Sequence, residues 1–431
     1  MILFTRVSYL VDALVLLSFS NGVLGGYAWR NEAHWVDTWT TMPQLTEPAN
    51  LPSPPYNQTG AVFVNSTIRQ TLHVSLGGSP IRISISNAFG LTDLPITAVT
   101  VALPTNGLAG VAAIDTSTLH TVTFSGSKNY TIPNGALVVS DPIPITVAPQ
   151  SNLAVTMYLQ DGQLSSTNAI TSHPGSRTTS WMSMGNQVSK QNITDSTTQS
   201  LQHWYFISAV EVWRERTARG FVIVGDSITD GRGSDNDKNN RWPDLVLARM
   251  QKNLHTSDIA VLNQAAGGNR ILYDGLGPNA LGRIDRDVLA QSGIAYSMIF
   301  EGVNDIGTAA TDAVSQKNVG DRIIAAFTQM VERAHAHGYP MFAATITPFS
   351  APGYNVTAQV YSDPEREATR QRVNSFIRYS GVFDAVIDFD AVLRNESFPY
   401  SIQTGLQGGD WLHPNALGYQ KISQSFPLNI F

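Results

Sequence analysis

Four short segments carry residue types that could do chemistry together. Gly225-Asp226-Ser227-Ile228-Thr229-Asp230-Gly231 sets a serine between two glycines, where its hydroxyl meets little steric cover. Asn263-Gln264-Ala265-Ala266-Gly267-Gly268-Asn269-Arg270 holds paired glycines, which let a backbone N–H approach a ligand closely. Glu301-Gly302-Val303-Asn304-Asp305 offers an asparagine amide, and Gly409-Asp410-Trp411-Leu412-His413-Pro414-Asn415 a histidine shortly after an aspartate. Each segment alone reads equally well as a turn, since Gly, Asn, Asp and Ser dominate turns. Together they supply a hydroxyl nucleophile, a base, an acid to orient that base, and donors for an oxyanion. That is the inventory of acyl transfer by serine. With no cysteine in 431 residues, thiol nucleophiles, disulfides and cysteine metal sites are excluded.

The elements around these segments change rhythm near Arg216. From Trp35 to Arg216, short alternating runs separated by Gly, Pro, Asn and Ser read as an all-β sandwich or jelly-roll-like domain. Within it, Thr67–Val74, the turn Gly77-Gly78-Ser79-Pro80 and Ile81–Ile85 read as a hairpin with one buried face. Residues 165–200 are polar and weakly patterned, as in a long loop. After Arg219, five apolar runs alternate with helices: Phe221–Gly225, Ile259–Asn263, Tyr296–Glu301, Met341–Ile346 and Ala385–Phe389. Helices are expected at Arg241–Leu254, at Asp321–His337 with Gly338 as its stop, and after the cap Asp363 with Pro364 in the first turn. The sum is α/β, a doubly wound, flavodoxin-like parallel five-stranded sheet. The expected division is a β-domain over 26–216 and a catalytic α/β domain over 217–431. Ligands of such sheets bind beyond the carboxyl ends of the strands, where the first three segments fall.

In this order the four segments resemble the blocks of the SGNH (GDSL) hydrolase superfamily, and the resemblance extends from Phe221 to about Phe426. It implies Ser227 as nucleophile, His413 as base and Asp410 as its carboxylate partner. It further implies oxyanion donors at the backbone N–H groups of Ser227 and Gly268 and the amide of Asn304, with no cofactor and no metal. The run Ser66–Leu103, with Asn87-Ala88-Phe89-Gly90, is similar to the β-domain that precedes this module in secreted GDSL-like lipases and esterases. The α/β-hydrolase elbow Gly-x-Ser-x-Gly is absent around Ser227.

Composition bounds the partners. The chain is 42% hydrophobic and 14% charged, with 27 basic and 33 acidic residues and a net charge of −6. Lacking clustered Lys and Arg, it has no footprint for nucleic acid. Residues 1–25 read as a signal peptide, with Arg6, the apolar run Leu10–Phe19, and small residues Val23 and Gly25 before the cut. A short buried N-terminal helix is the alternative reading, and the run is too short for stable membrane insertion. Sequons begin at Asn57, Asn65, Asn129, Asn192, Asn355 and Asn395. The expectation is a secreted, extracellular, glycosylated serine esterase acting on an ester substrate, held together without disulfides by two sizeable cores. Acyl groups on extracellular carbohydrate are the expected target. The alternatives are a lipase or lysophospholipase on lipid esters, or a carbohydrate-binding module with a vestigial site.

Other residues have bland and sharp readings side by side. Arg241-Trp242-Pro243 could line the acyl or sugar pocket or simply start a helix. Arg283 with Asp285 to Asp287 is expected to be a surface ion-pair cluster. Trp411 is expected to border the cleft, and Asp226 to brace its turn by hydrogen bonding. His335 and His337, two apart on a helix, point apart and make no metal pair.

Overall fold

The computed structural model describes residues 33–167 and 169–431. The expected signal peptide lies outside the described residues.

In the C-terminal region the parallel sheet runs in the order Ile259–Ala265, Arg219–Gly225, Ile294–Phe300, Met341–Ala344, Ala385–Ile387. Numbered along the chain this is 2-1-3-4-5, the flavodoxin-like order that the sequence implied. Phe221, Val222, Ile223 and Val224 are all fully buried, as a strand covered on both faces requires. Gly225 pairs with both Ala265 and Phe300, so three strands end in one row. The chain reverses direction of travel across the sheet at this first strand, which opens a crevice at its carboxyl end.

Helix boundaries follow their caps. Asp363 accepts from the N–H groups of Glu365 and Arg366 and starts the helix Pro364–Tyr379 as expected. The helix expected from Asp321 instead begins at Ala313 and runs to Ala336. Its first two turns lack an apolar stripe. They are fixed by the Asp312 cap on Ser315 N (2.9 Å) and by close packing at Gly320, where a Cβ would meet Arg372 at 2.2 Å. Trp242–Met250 forms a helix with Arg241 as its N-cap, and Trp242 is buried among Phe300, Phe389 and Phe426. Arg241-Trp242-Pro243 thus starts a helix and stays out of the Ser227 cleft, while Arg241 and Pro243 also line a small pocket beside His173 and Asp230.

The N-terminal region consists largely of antiparallel sheets. One has four strands, Ala33–Thr40, Ile207–Glu215, Ile81–Ser86 and Leu137–Val139 in spatial order. Another has six, with Ser66–His73 and Asn152–Leu159 at its centre, and three smaller sheets of two or three strands accompany these two among the described residues. The expected hairpin does not form. Ser66–His73 pairs with Asn152–Leu159 and Ser180–Met184, whereas Ile81–Ser86 belongs to the other sheet. The connection is pulled across by Ser75 N and Leu76 N bonding to Thr38, and by Gly78 N bonding to Val147 O. Nor does Ser66–His73 have one wet face, for every residue except His73 is buried. Residues 165–200 are not a plain loop either, since they contain the strands Thr171–His173, Ser180–Met184 and Gln199–Leu201.

The two regions share one apolar core instead of two, continuous from Trp39, Val74 and Leu76 to Val261 and Leu262. Polar contacts cross the same junction. Asp37 Oδ2 accepts from Ser292 N at 2.7 Å, and the Ser75 hydroxyl bonds both Val261 O (2.9 Å) and Val261 N (3.1 Å). Of the sequons, Asn65, Asn129, Asn192 and Asn355 are exposed, while Asn57 and Asn395 are half-buried.

Candidate active site

The row of strand ends carries the chemistry. Ser227 follows Gly225 by two residues and opens a one-turn helix, Ser227–Asp230, capped by Asp226 Oδ1 on Ile228 N (2.9 Å). Asp226 thus braces the turn, as its position suggested. Burial pushes its carboxyl up to about 7, helped by the negative charges of Asp305 and Asp230 against the pull of the Ile228 N–H.

Ser227 Oγ lies 2.7 Å from His413 Nε2, and His413 Nδ1 lies 2.6 Å from Asp410 Oδ2. Only N–H can face a carboxylate, so Nδ1 carries the hydrogen and Nε2 is left to accept from the serine. Asp410 Oδ1 takes the N–H groups of Leu412 (3.0 Å) and His413 (2.9 Å), which ties the carboxylate to the backbone of its own turn. Half-burial opposes ionisation of Asp410, but the side chain, charge and backbone N–H of His413 outweigh it and hold its pKa well below the usual carboxylate range.

Gly268 and Asn304 stand across from the serine, and all three line the same cleft. Neither Ser227 N nor Gly268 N has a hydrogen-bond acceptor among the described residues. Asn304 Nδ2 spends one hydrogen on Asn269 O (2.9 Å), and its Oδ1 accepts from Tyr361 OH (3.2 Å). That fixes the amide orientation and leaves the second N–H of Nδ2 unspent. Every residue implied for the site is therefore brought together. Trp411 is not, because Leu412 and not Trp411 lines the cleft.

Several residues that hold this arrangement carry no local signal. Arg283 is no surface cation: it is 2% exposed and reaches Asn269 Oδ1 (3.1 Å), Gln264 O (2.6 Å) and Asp287 (3.1 Å). It braces the loop that carries Gly268 from below, with the equally buried Glu301 at 3.9 Å. Burial and the nearby Asp226 and Asp305 charges raise the Glu301 carboxyl well above its ordinary value, despite Arg283. Asp305 accepts from Ile271 N (2.8 Å) and Leu272 N (3.0 Å), joining the second strand's loop to the third's; burial lifts it to about 6. His335 bonds Asp384 at 2.8 Å, and no group of three or more potential metal ligands gathers among the described residues.

The cleft has a volume of about 660 Å³. One side is the α/β region; the other is built from Gln44, Glu47, Asn50, Arg177, Gln202 and His203 of the β-region. Sequence reasoning missed this wall because its residues sit in short polar strands and turns.

Residues 221–426 match the family model described as GDSL-like Lipase/Acylhydrolase, so this part of the chain is an ester-hydrolase domain of that family. No curated protein matches the chain. Among solved structures, a catalytic mutant of an acetylxylan esterase from Geobacillus stearothermophilus is similar at 21% identity and a TM-score of 0.37, over 49% of this chain and 94% of that one. A GDSL-like lipase from Bacteroides thetaiotaomicron gives 16% and 0.34, over 49% and 87%. The protein TesA gives 20% and 0.36, over 48% and 95%.

Proposed function

We propose, from the ester-hydrolase domain at residues 221–426, that Ser227, His413 and Asp410 deacylate carbohydrate esters through an acyl-enzyme. One observation carries the mechanism: the hydrogen-bonded series Ser227 Oγ, His413 Nε2, His413 Nδ1, Asp410 Oδ2 opens into a cleft. A neutral serine is a weak nucleophile, so His413 Nε2 takes the Oγ proton as the Oγ–C bond forms. Asp410 steadies the imidazolium that results. The tetrahedral intermediate's oxygen accepts from Ser227 N, Gly268 N and Asn304 Nδ2. His413 then returns its proton to the departing alkoxide, and water, deprotonated by the same nitrogen, frees the acid.

The cleft lining supports a polar alcohol portion. Leu276, Leu412 and Tyr361 are its large apolar members, enough for a short acyl group, and most of the remaining lining is polar. The lining also presents apolar surface, so a lipid ester is the rival substrate that the comparison below decides. Secretion and glycosylation belong to the same reading, supported by the first 25 residues and by the four exposed sequons.

Ser227→Ala should abolish turnover of p-nitrophenyl acetate and labelling by a fluorophosphonate probe. Full activity in that variant would sink the mechanism. Acetylated xylan assayed beside lysophosphatidylcholine tests the substrate class, and faster release from the lipid would reverse the preference.

A further inference from the structure

We infer that His173, carried by the N-terminal β-region, is a positioning residue for the reaction: through Asp230 it holds the peptide N–H of Gly267, and so the adjoining Gly268 donor, in place. This rests on the reading of Gly268 as an oxyanion donor.

His173 ends a three-residue strand, Thr171–His173, flanked by Trp204–Tyr205 and Gln44–Leu45. Its side chain is 3% exposed and both ring nitrogens are engaged: Nδ1 with Met42 O at 3.0 Å and Nε2 with Asp230 Oδ1 at 2.8 Å. A carbonyl can only accept, so Nδ1 carries a hydrogen, and Nε2 and Asp230 Oδ1 share one hydrogen between them. The ring also stacks on Trp204, with centroids 5.8 Å apart.

Asp230 is the last residue of the nucleophile's own helical turn, with its N–H on Asp226 O at 2.9 Å. Its second oxygen, Oδ2, accepts from Gly267 N at 3.1 Å. That bond therefore sets the spacing between the turn of Ser227 and the loop of Gly268. Without His173, the Asp230 carboxylate would be buried with one oxygen unpaired and free to turn away from Gly267. The β-region closes round this contact. A Cβ on Gly175 would come within 1.7 Å of Asp230 Oδ2, and Met42, whose carbonyl holds His173, packs at the far end of the same loop, 2.7 Å from a Cβ on Gly277. The oxyanion loop is thus met by Met42 directly at Gly277, and at Gly267 it is held by Asp230, on which His173 and Gly175 of the β-region close.

The test compares His173→Phe, which keeps a ring against Trp204 and removes both donors, with Asp230→Ala and with His173→Gln, whose amide N–H can still reach Asp230. Each is assayed for kcat and KM on p-nitrophenyl acetate, per active site titrated. Each is also assayed for inhibition by a short alkyl boronic acid, whose tetrahedral adduct on Ser227 places an oxygen at the oxyanion position. A misplaced loop should lower kcat by about 10²-fold in His173→Phe and Asp230→Ala, leave KM within about threefold, and weaken the boronic acid by a factor similar to the kcat loss. His173→Gln should recover most of kcat. Unchanged kcat and inhibition in the first two variants overturns the inference, and so does a failure of both to fold, which would make His173 a structural pin. If Ser227→Ala is dead while His173→Phe is fully active, only the positioning role falls; an active Ser227→Ala removes the serine mechanism itself.

Discussion

A single methyl group at position 268 tests the proposed oxyanion site. Gly268 has φ of +71°, and a Cβ there would lie 2.4 Å from Leu276 Cδ1 and 3.2 Å from Leu276 Cβ. Holding alanine in the left-handed region costs about 1–2 kcal/mol. Leu276 is 46% exposed, so its Cδ1 can swing outward, but its Cβ moves only with the loop. Rotation of residue 268 out of the left-handed region relieves both problems at once, and it turns the Gly268 N–H away from the cleft. Losing one such donor typically costs about 2.7–4 kcal/mol of barrier, or 10²–10³ in kcat. Gly268→Ala should therefore lose about 10²–10³ in kcat on p-nitrophenyl acetate, with KM little changed and folding stability lower by about 1–2 kcal/mol. Adding Leu276→Ala removes the Cδ1 clash but leaves the Cβ contact and the φ, so the double variant should stay close to the single one. Gly405→Ala, where no atom lies within 4 Å and φ is not left-handed, controls for a generic effect of removing a glycine. A Gly268→Ala enzyme whose kcat stays within about threefold of the original would refute the reasoning.

Asp410→Asn should cut kcat by about 10⁴, because an amide facing His413 Nδ1 can favour the wrong tautomer; unchanged KM alongside would confirm that binding is intact. Arg283→Met strips the buried Asp287 carboxylate, 3.1 Å away, and the Gln264 carbonyl of this cation, so denaturant unfolding should show a loss on the order of 3–5 kcal/mol. Burial pushes Asp226 up to about 7 from 3.8, so the folded protein holds a proton that the unfolded chain gives up, and stability falls as pH rises from about 4 to about 7. Asp226→Asn has no such proton to hold. Its stability relative to the parent should therefore improve as pH is raised from about 5 to about 8 in thermal unfolding, and a gap independent of pH would count against the buried-acid account.

What could be read from sequence was whatever is local. Gly225-Asp226-Ser227 and Asp410 to His413 declare themselves because cap and nucleophile are adjacent in the first and carboxylate and base three residues apart in the second. The five parallel strands do so because burial on both faces leaves an unbroken apolar run. Apart from the helix start at Ala313, set by the nearby Asp312 cap, the failures in strand pairing and burial are cases in which the partner is distant. Ser66–His73 and Ile81–Ser86 look like a hairpin because their real partners, Asn152–Leu159 and Ile207–Glu215, are far along the chain. Arg283 looks like a surface cation because its acceptors, Gln264 O and Asn269 Oδ1, are set by the loop and not by its helix neighbours. Residues 165–200 look like a loop because His173 and Arg177 are polar, yet their acceptors Asp230 and Ser234 lie in the other region. Polar residues whose partners come from another part of the fold leave no periodicity to find.

The Ser75 hydroxyl on Val261 has a consequence for handling the protein. Ile259–Ala265 is the outermost strand of the parallel sheet, and the outward N–H and C=O of Val261 are both taken by that one side chain, with Ala33–Thr40 packed alongside. A bare edge strand is a template on which another chain can add. A hydrolase half prepared without the β-region would present this edge and its apolar flank to solvent. Its first failure would be self-association, before any question of chemistry arose, so the β-region serves as chaperone to the sheet it covers.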